Sequence, residues 1–157
     1  MYFRNPENLS ELFHVYLLLK PISNLYPDFS NWYWDKVVTG VLLGKDKIII
    51  AENKAEIIGV SIIKNSPNEN KLRALRIVDK FQKTGAGLYL MDKSLKELGD
   101  NKPIVSVADE MINEYSRMFI NRYDFNLTHV YNGLYRKNHL EYEFNGNKNL
   151  EDKSIYF

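Results

Sequence analysis

The part of this chain that most constrains what it can fold into lies between residues 72 and 98. Leu72–Val78 alternates like a strand, with Leu75, Ile77 and Asp79 sharing one face and Ala74, Arg76 and Val78 the other. After Gln82-Lys83-Thr84-Gly85-Ala86-Gly87 the period changes. Leu88, Met91, Leu95 and Leu98 recur at spacings of three and four, which predicts a helix ended by Gly99. A strand, a short turn with two glycines and a helix leave the first N–H groups of the helix, and the positive end of its dipole, at the turn. Glycine lacks Cβ, so a ligand can approach the backbone there. The arrangement suits a phosphate or pyrophosphate. A Walker loop is excluded because no Lys-Ser/Thr pair follows Gly87. A dinucleotide fingerprint is disfavoured because its first glycine is missing and the preceding strands look antiparallel. The alternative is a plain strand-to-helix turn that needs small residues.

The elements around this unit can be read in order. Tyr2-Phe3-Arg4 is a short strand, and Asn5 and Pro6 suit the start of a helix over Pro6–Lys20, with Leu9, Leu12, Phe13, Tyr16 and Leu17 as its stripe. Pro27 and Asp28 open a second helix carrying Phe29, Trp32, Val37, Val38 and Val41, ended by Gly44. Lys47–Glu52 and Ile57–Lys64 form a hairpin across Asn53–Glu56. Beyond Gly99 come a strand over Pro103–Val107, a helix over Glu110–Arg122 capped by Asp109, and strands over Leu127–Tyr135 and Leu140–Phe144. The order β-α-α-β-β-β-α-β-α-β-β predicts a mixed α/β (α+β) domain: about four helices around a mostly antiparallel sheet of six or seven strands. The domain is read as residues 1–146, with 147–157 as a polar tail closing on Ile155-Tyr156-Phe157.

Composition narrows the chemistry. The 157 residues include 21 Lys and Arg against 20 Asp and Glu, which argues against a generally basic nucleic-acid binder. Cysteine is absent, so disulfides, zinc–thiolate sites and a catalytic thiol are excluded, and no metal is expected. No apolar run is long enough for a membrane span and no leader is visible, so the expectation is a cytoplasmic protein without a membrane partner. Aromatic residues make up 13% of the chain, enough for a ring-rich core, an aromatic cleft, or both.

Gln82-Lys83-Thr84-Gly85-Ala86-Gly87, set between a strand and an amphipathic helix, resembles the acetyl-CoA signature of the GNAT acetyltransferase superfamily, (Gln/Arg)-x-x-Gly-x-(Gly/Ala). The resemblance extends over most of the chain, up to Asp124-Phe125. It implies a sheet splayed between the strands holding Ile77 and Val105. It implies acetyl-CoA as co-substrate, with its pyrophosphate on the backbone of Lys83, Thr84, Gly85, Ala86, Gly87 and Leu88. Main-chain groups of Ile77, Val78 and Asp79 would pair with the pantetheine arm like an added strand. Asn113 and Ser116 match the family's Asn and following small residue, but the Tyr expected four positions later is Ile120. Tyr123, three residues on, is the candidate acid for the leaving sulfur, with core packing beside Phe125 as the alternative.

The implied activity is direct transfer of acetyl to a primary amine, borne by a small molecule or peptide. Glu52, Glu69, Asp79 and Glu110 are the carboxylates weighed as general base, and Glu52 is the one retained. His14 reads as packing, His129 as a weaker base and His139 as a turn residue. The family's acceptor wall lies near Tyr26, Phe29, Trp32, Tyr33 and Trp34. Lys71, Arg73, Arg76, Lys80 and Lys83 would draw coenzyme phosphates or, as a second reading, a tRNA-borne acceptor. A fold that binds CoA or a protein without turnover is the other alternative, and a homodimer is left open.

Overall fold

The computed structural model describes residues 1–146. The expected tail, 147–157, lies outside the described residues. The first sheet has the order β1-β2-β3-β4, from β1 (Tyr2–Arg4), β2 (Asp46–Asn53), β3 (Glu56–Asn65) and β4 (Asn70–Ile77), each pair antiparallel. The second has the order β5-β7-β6, from β5 (Val105–Ala108), β6 (Leu127–Asn132) and β7 (Leu140–Phe144). The two meet at one parallel bridge, Lys71 with Ile104, where the Leu72 N–H donates to Ile104 and the Ile104 N–H to Asn70, both at 2.9 Å. Past that bridge β4 and β5 diverge, so the expected splay is present and the expected single sheet is two.

α1 (Leu9–Leu19) begins later than the sequence suggests. Asn8, not Asn5, caps it, accepting the Glu11 N–H at 2.9 Å, while the Asn5 amide donates to the Ile48 carbonyl at 2.7 Å. Its buried residues are Val15 and Leu19, whereas Leu9, Phe13, Leu17 and His14 stay exposed. A 3₁₀ turn (Lys20–Asn24) leads to α2 (Phe29–Asn31), a π turn (Trp32–Val38) and α3 (Thr39–Leu42), one continuous helical stretch. Phe29, Tyr33 and Val37 form its buried stripe. A Cβ on Gly40 would lie 1.7 Å from Asp46 Oδ2, so glycine is what lets this helix reach the start of β2.

Two cores flank the first sheet. Val15, Leu19, Phe29, Tyr33 and Val37 pack on Ile48, Ile50, Val60 and Ile62. On the opposite face α4 (Ala86–Leu98) packs Leu90, Met91 and Leu95 against Ile49, Ala51 and Ile77. That core continues under the second sheet, where Val105, Val107 and Phe144 meet Phe119 and Phe125 beside α5 (Ile112–Arg117) and its π-turn extension (Met118–Arg122). The sheets are therefore held by a shared core on one side, and the gap between β4 and β5 opens between α4 and α5.

Candidate active site

The open edge of β4 is set by a bulge. Ile62 faces Ala74 while Ile63 faces Leu72, so Arg73 is an extra residue that shifts the alternation of the strand. Downstream, the Val78 N–H donates to Ile58 at 2.9 Å. Alternation then turns the N–H and C=O of Leu75 and Ile77 toward the gap, where β5 has already diverged. Of the three main-chain positions expected to meet the pantetheine arm, Ile77 faces the gap, Val78 directs its N–H to β3, and Asp79 begins a 3₁₀ turn (Asp79–Phe81). Gln82 reaches back, its amide donating to the Ile77 carbonyl and to Asp79 Oδ1, each at 3.0 Å.

The turn itself is exposed from Gln82 to Gly85. Lys83 has φ +60 and Gly85 φ +89, so the chain winds left-handed into α4, a conformation natural to glycine. Among the described residues, the N–H groups of Lys83, Thr84, Gly85 and Gly87 donate to no protein acceptor, while Ala86 has only Thr84 Oγ1 at 3.4 Å. A Cβ on Gly87 would meet Ile77 Cγ1 at an ordinary 3.6 Å, so protein packing does not require that glycine. The turn thus presents several unpaired donors and a helix dipole beside the open edge, an arrangement whose chemistry suits an anion next to an extended ligand.

Across the gap, Asn113, Ser116 and Ile120 share one side of α5 and its extension, away from the core residues Met111, Ile112, Tyr115, Met118 and Phe119. Tyr123 is placed differently from the expected acid. Its hydroxyl donates to Asp92 Oδ1 at 2.7 Å, its ring meets Phe125 at 5.7 Å, and burial, then Asp92, pushes its pKa up to about 12. It ties α5 to α4 and directs its proton to Asp92. Glu52 is likewise engaged elsewhere: its carboxylate accepts from Arg4 at 2.7 Å, Arg4 also holds Glu11 at 2.6 Å, and β2 is separated from the gap by β3 and β4. The geometry assigns neither residue to the reacting centre.

The basic cluster is largely neutralised. Arg73 pairs with the buried Asp46 at 2.9 Å, Arg76 with Asp79 at 3.1 Å and Lys80 with Glu56 at 3.1 Å. Burial raises the Asp46 pKa and Arg73 opposes that shift. Lys83 remains exposed in the turn. Of the other carboxylates weighed as base, Glu69 pairs with Lys64, which lowers its pKa, and Glu110 is held well below the usual range by Arg136. Glu110, Asp109 and His139 converge within 4.8 Å, but Arg136 already bonds Glu110 at 2.6 Å and approaches Asp109 at 3.5 Å. That cluster joins the end of β5 to the loop after β6.

The sequence reading passed over Glu141 and Glu143. Both are buried on β7, the central strand of the second sheet, at 4% and 6% exposure. Register places Glu143 opposite Ser106 and His129, and Glu141 opposite Ala108 and Tyr131, so all six share one face. The Tyr26 hydroxyl donates to Glu141 Oε1 at 2.6 Å and the Tyr131 hydroxyl to Glu143 Oε1 at 3.1 Å. Tyr135, from the loop after β6, meets Tyr26 edge-on at 5.3 Å and interacts with Ser106. Burial raises the pKa of Glu141, with Tyr26, Ser106, Arg136 and Lys71 opposing the shift, and burial raises Tyr26, Tyr131 and Tyr135. The signal was present in Leu140-Glu141-Tyr142-Glu143-Phe144, whose alternation puts two carboxylates on one face. It was unreadable without knowing that β7 is central, so that both faces are covered.

By sequence, no family model and no curated protein matches the chain. By structure, it has the fold of GNAT acetyltransferases. A ribosomal-protein alanine N-acetyltransferase from Escherichia coli aligns at TM-score 0.69 and 12% identity, covering 99% of each chain. A spermidine N-acetyltransferase from Vibrio cholerae, in complex with CoA and spermine, aligns at TM-score 0.66 and 14% identity, covering 91% of this chain and 92% of the other. A GNAT-family acetyltransferase from Elizabethkingia anophelis with acetyl-CoA bound aligns at TM-score 0.61 and 15% identity, covering 91% and 95%. Among the described residues, no helix is long and apolar enough to cross a membrane.

Proposed function

We propose that this chain is an acetyl-CoA-dependent N-acetyltransferase that moves the acetyl group directly to a primary amine in a ternary complex. The observation that carries the proposal is the juxtaposition of the gap-facing main-chain groups of Leu75 and the Ile77 N–H with the unpaired N–H groups of Lys83, Thr84, Gly85 and Gly87. The first would receive the pantetheine amides and the second the pyrophosphate. Asn113 and Ser116 would face the coenzyme from the opposite wall, and Gln82 would release or share the Ile77 carbonyl as the arm enters. The structural neighbours that bind acetyl-CoA or CoA support the coenzyme assignment. With no cysteine in the chain, transfer through a cysteinyl acyl-enzyme is excluded. Holding amine and thioester together would supply much of the rate. The use of acetyl-CoA would place the protein in the cytoplasm.

Titration calorimetry with acetyl-CoA tests the proposal. Wild type should bind, and Gly85→Glu, which strains a left-handed position and sets a carboxylate in the anion cradle, should bind at least about a hundredfold more weakly, a loss of about 2.7 kcal/mol. Absence of wild-type binding at high micromolar coenzyme would overturn it. Ile120 favours a second reading, coenzyme binding without turnover. Steady release of CoA thiol with any amine from a broad panel would exclude that reading.

A further inference from the structure

We propose that the outward face of α1 is the contact through which two copies of this chain associate, packed antiparallel about Phe13. This surface is separate from the coenzyme gap, and the inference stands without the acetyltransferase reading.

Spacing is the first argument. Leu9, Phe13 and Leu17 stand four residues apart, so they form one ridge along α1. That spacing is the pattern of a buried stripe, yet the helix turns Val15 and Leu19 to the sheet instead. The ridge stays in solvent: Leu9 is 71%, Phe13 51% and Leu17 47% exposed. Apolar residues scattered singly over a surface need no explanation, and Tyr89 on α4 and Ile120 on the α5 extension are of that kind. Three in line over about 12 Å of helix are not.

Preorganisation is the second argument. The Phe13 ring stacks at 6.1 Å on Tyr16 and at 6.3 Å on Trp34, and Trp34 in turn meets Tyr33 edge-on at 4.9 Å. Tyr33 is fully buried. The exposed ring is thus held by a chain of rings that runs into the core, and docking it costs little side-chain entropy. A fixed aromatic ring at the centre of an apolar ridge is suited to anchor a protein interface.

Charge selects the partner. Glu7 precedes the Asn8 cap at the start of α1, and Lys20 follows its last residue. Both are exposed, and among the described residues neither makes an ion pair. A second copy laid antiparallel, Phe13 on Phe13 of the second copy, sets Leu9 against Leu17 of the second copy. It also brings Glu7 beside Lys20 of the second copy. Two-fold symmetry makes each flanking contact occur twice. The helix dipoles run in opposite directions, which also favours the pair. The ridge is therefore complementary to itself: a ring at the centre, a leucine on each flank, an acid at one end and a base at the other. A uniformly acidic or basic partner would leave one end unmatched. With a net charge of +1, the copies repel each other only weakly.

Placement leaves the coenzyme gap free. α1 packs on the face of the first sheet opposite α4. Two copies joined through α1 therefore keep the Lys83–Gly87 turn of each open to solvent. A single-helix ridge is smaller than a standard interface of about 800 Å² per partner, so the dimer should be weak, with Kd on the order of 100 μM.

Sedimentation velocity of the whole chain tests the proposal: between about 10 μM and about 1 mM, the dimer should grow with concentration. Phe13→Glu should weaken association at least about tenfold. Glu7→Lys and Lys20→Glu should each weaken it about threefold, and the chain carrying both should return to within about twofold of wild type. All four variants change exposed side chains and should melt within about 3 °C of wild type, which separates lost association from lost folding. A chain that stays monomeric up to about 1 mM would overturn the proposal, whatever other protein or segment covers the ridge. So would a dimer that Phe13→Glu leaves intact. So would a double reversal without recovery, because that recovery is specific to an antiparallel second copy.

Discussion

The two sheets treat buried carboxylates in opposite ways. In the first, buried Asp46 is matched to Arg73, and the partly buried Glu52 to Arg4, so each acid meets a guanidinium. In the second, Glu141 and Glu143 meet tyrosine hydroxyls, a serine and a histidine. The first arrangement compensates charge within the chain and reads as structural. The second meets Glu141 with hydroxyls, and Arg136 and Lys71 oppose the effect of its burial without cancelling it, so its pKa stays raised. Burial alone therefore does not say how an acid is held; its partners do.

The largest expected effect comes from breaking a matched pair. Arg73→Met removes the ion-pair partner of Asp46, whose side chain is only 3% exposed, and should destabilise the fold by about 3–5 kcal/mol, measurable by urea denaturation. A loss under about 1 kcal/mol would remove the distinction between the sheets. Glu141→Gln should do the reverse. A carboxyl whose folded pKa is raised contributes stability when protonated, below its unfolded pKa, and loses it as pH rises through the folded value. The variant should then melt higher than wild type at pH 8, by about 2–4 °C for roughly 1 kcal/mol, with the difference shrinking toward zero near the unfolded carboxylate value of about 4. A variant that melts lower at pH 8 would show that the Glu141 charge is compensated after all. Glu52→Gln should have the smallest effect, about 1 kcal/mol or less because Arg4 keeps Glu11, with kcat unchanged. A large fall in kcat would return Glu52 to the catalytic centre.

Much of this architecture was legible in the sequence because the decisive signals are local. The change of period between Leu72–Val78 and Leu88–Leu98, with glycines at 85 and 87, marks the strand, turn and helix that would hold the coenzyme. The β2–β3 hairpin and the helix ended by Gly99, at φ +63, follow from turn and cap chemistry. The catalytic side was not legible for the converse reason. Tyr123 caps the α5 extension that holds Ile120, but its hydroxyl is taken by Asp92, a partner 31 residues away in sequence. Glu52 is claimed by Arg4 at a separation of 48, and Tyr26 meets Glu141 at a separation of 115. Pairings of that range depend on register and on which strand lies at a sheet's centre, and no local period encodes them.

The most direct measurement of the central claim is an amide chemical-shift titration of the labelled chain with acetyl-CoA. The N–H groups of Leu75, Ile77, Lys83, Gly85 and Gly87 should show the largest changes. Arg76 and Val78, whose N–H groups face β3, should move less, following the alternation set by the bulge at Arg73. Changes confined elsewhere, or a turn that stays silent at saturating coenzyme, would contradict the assignment of the β4–β5 gap as the coenzyme site.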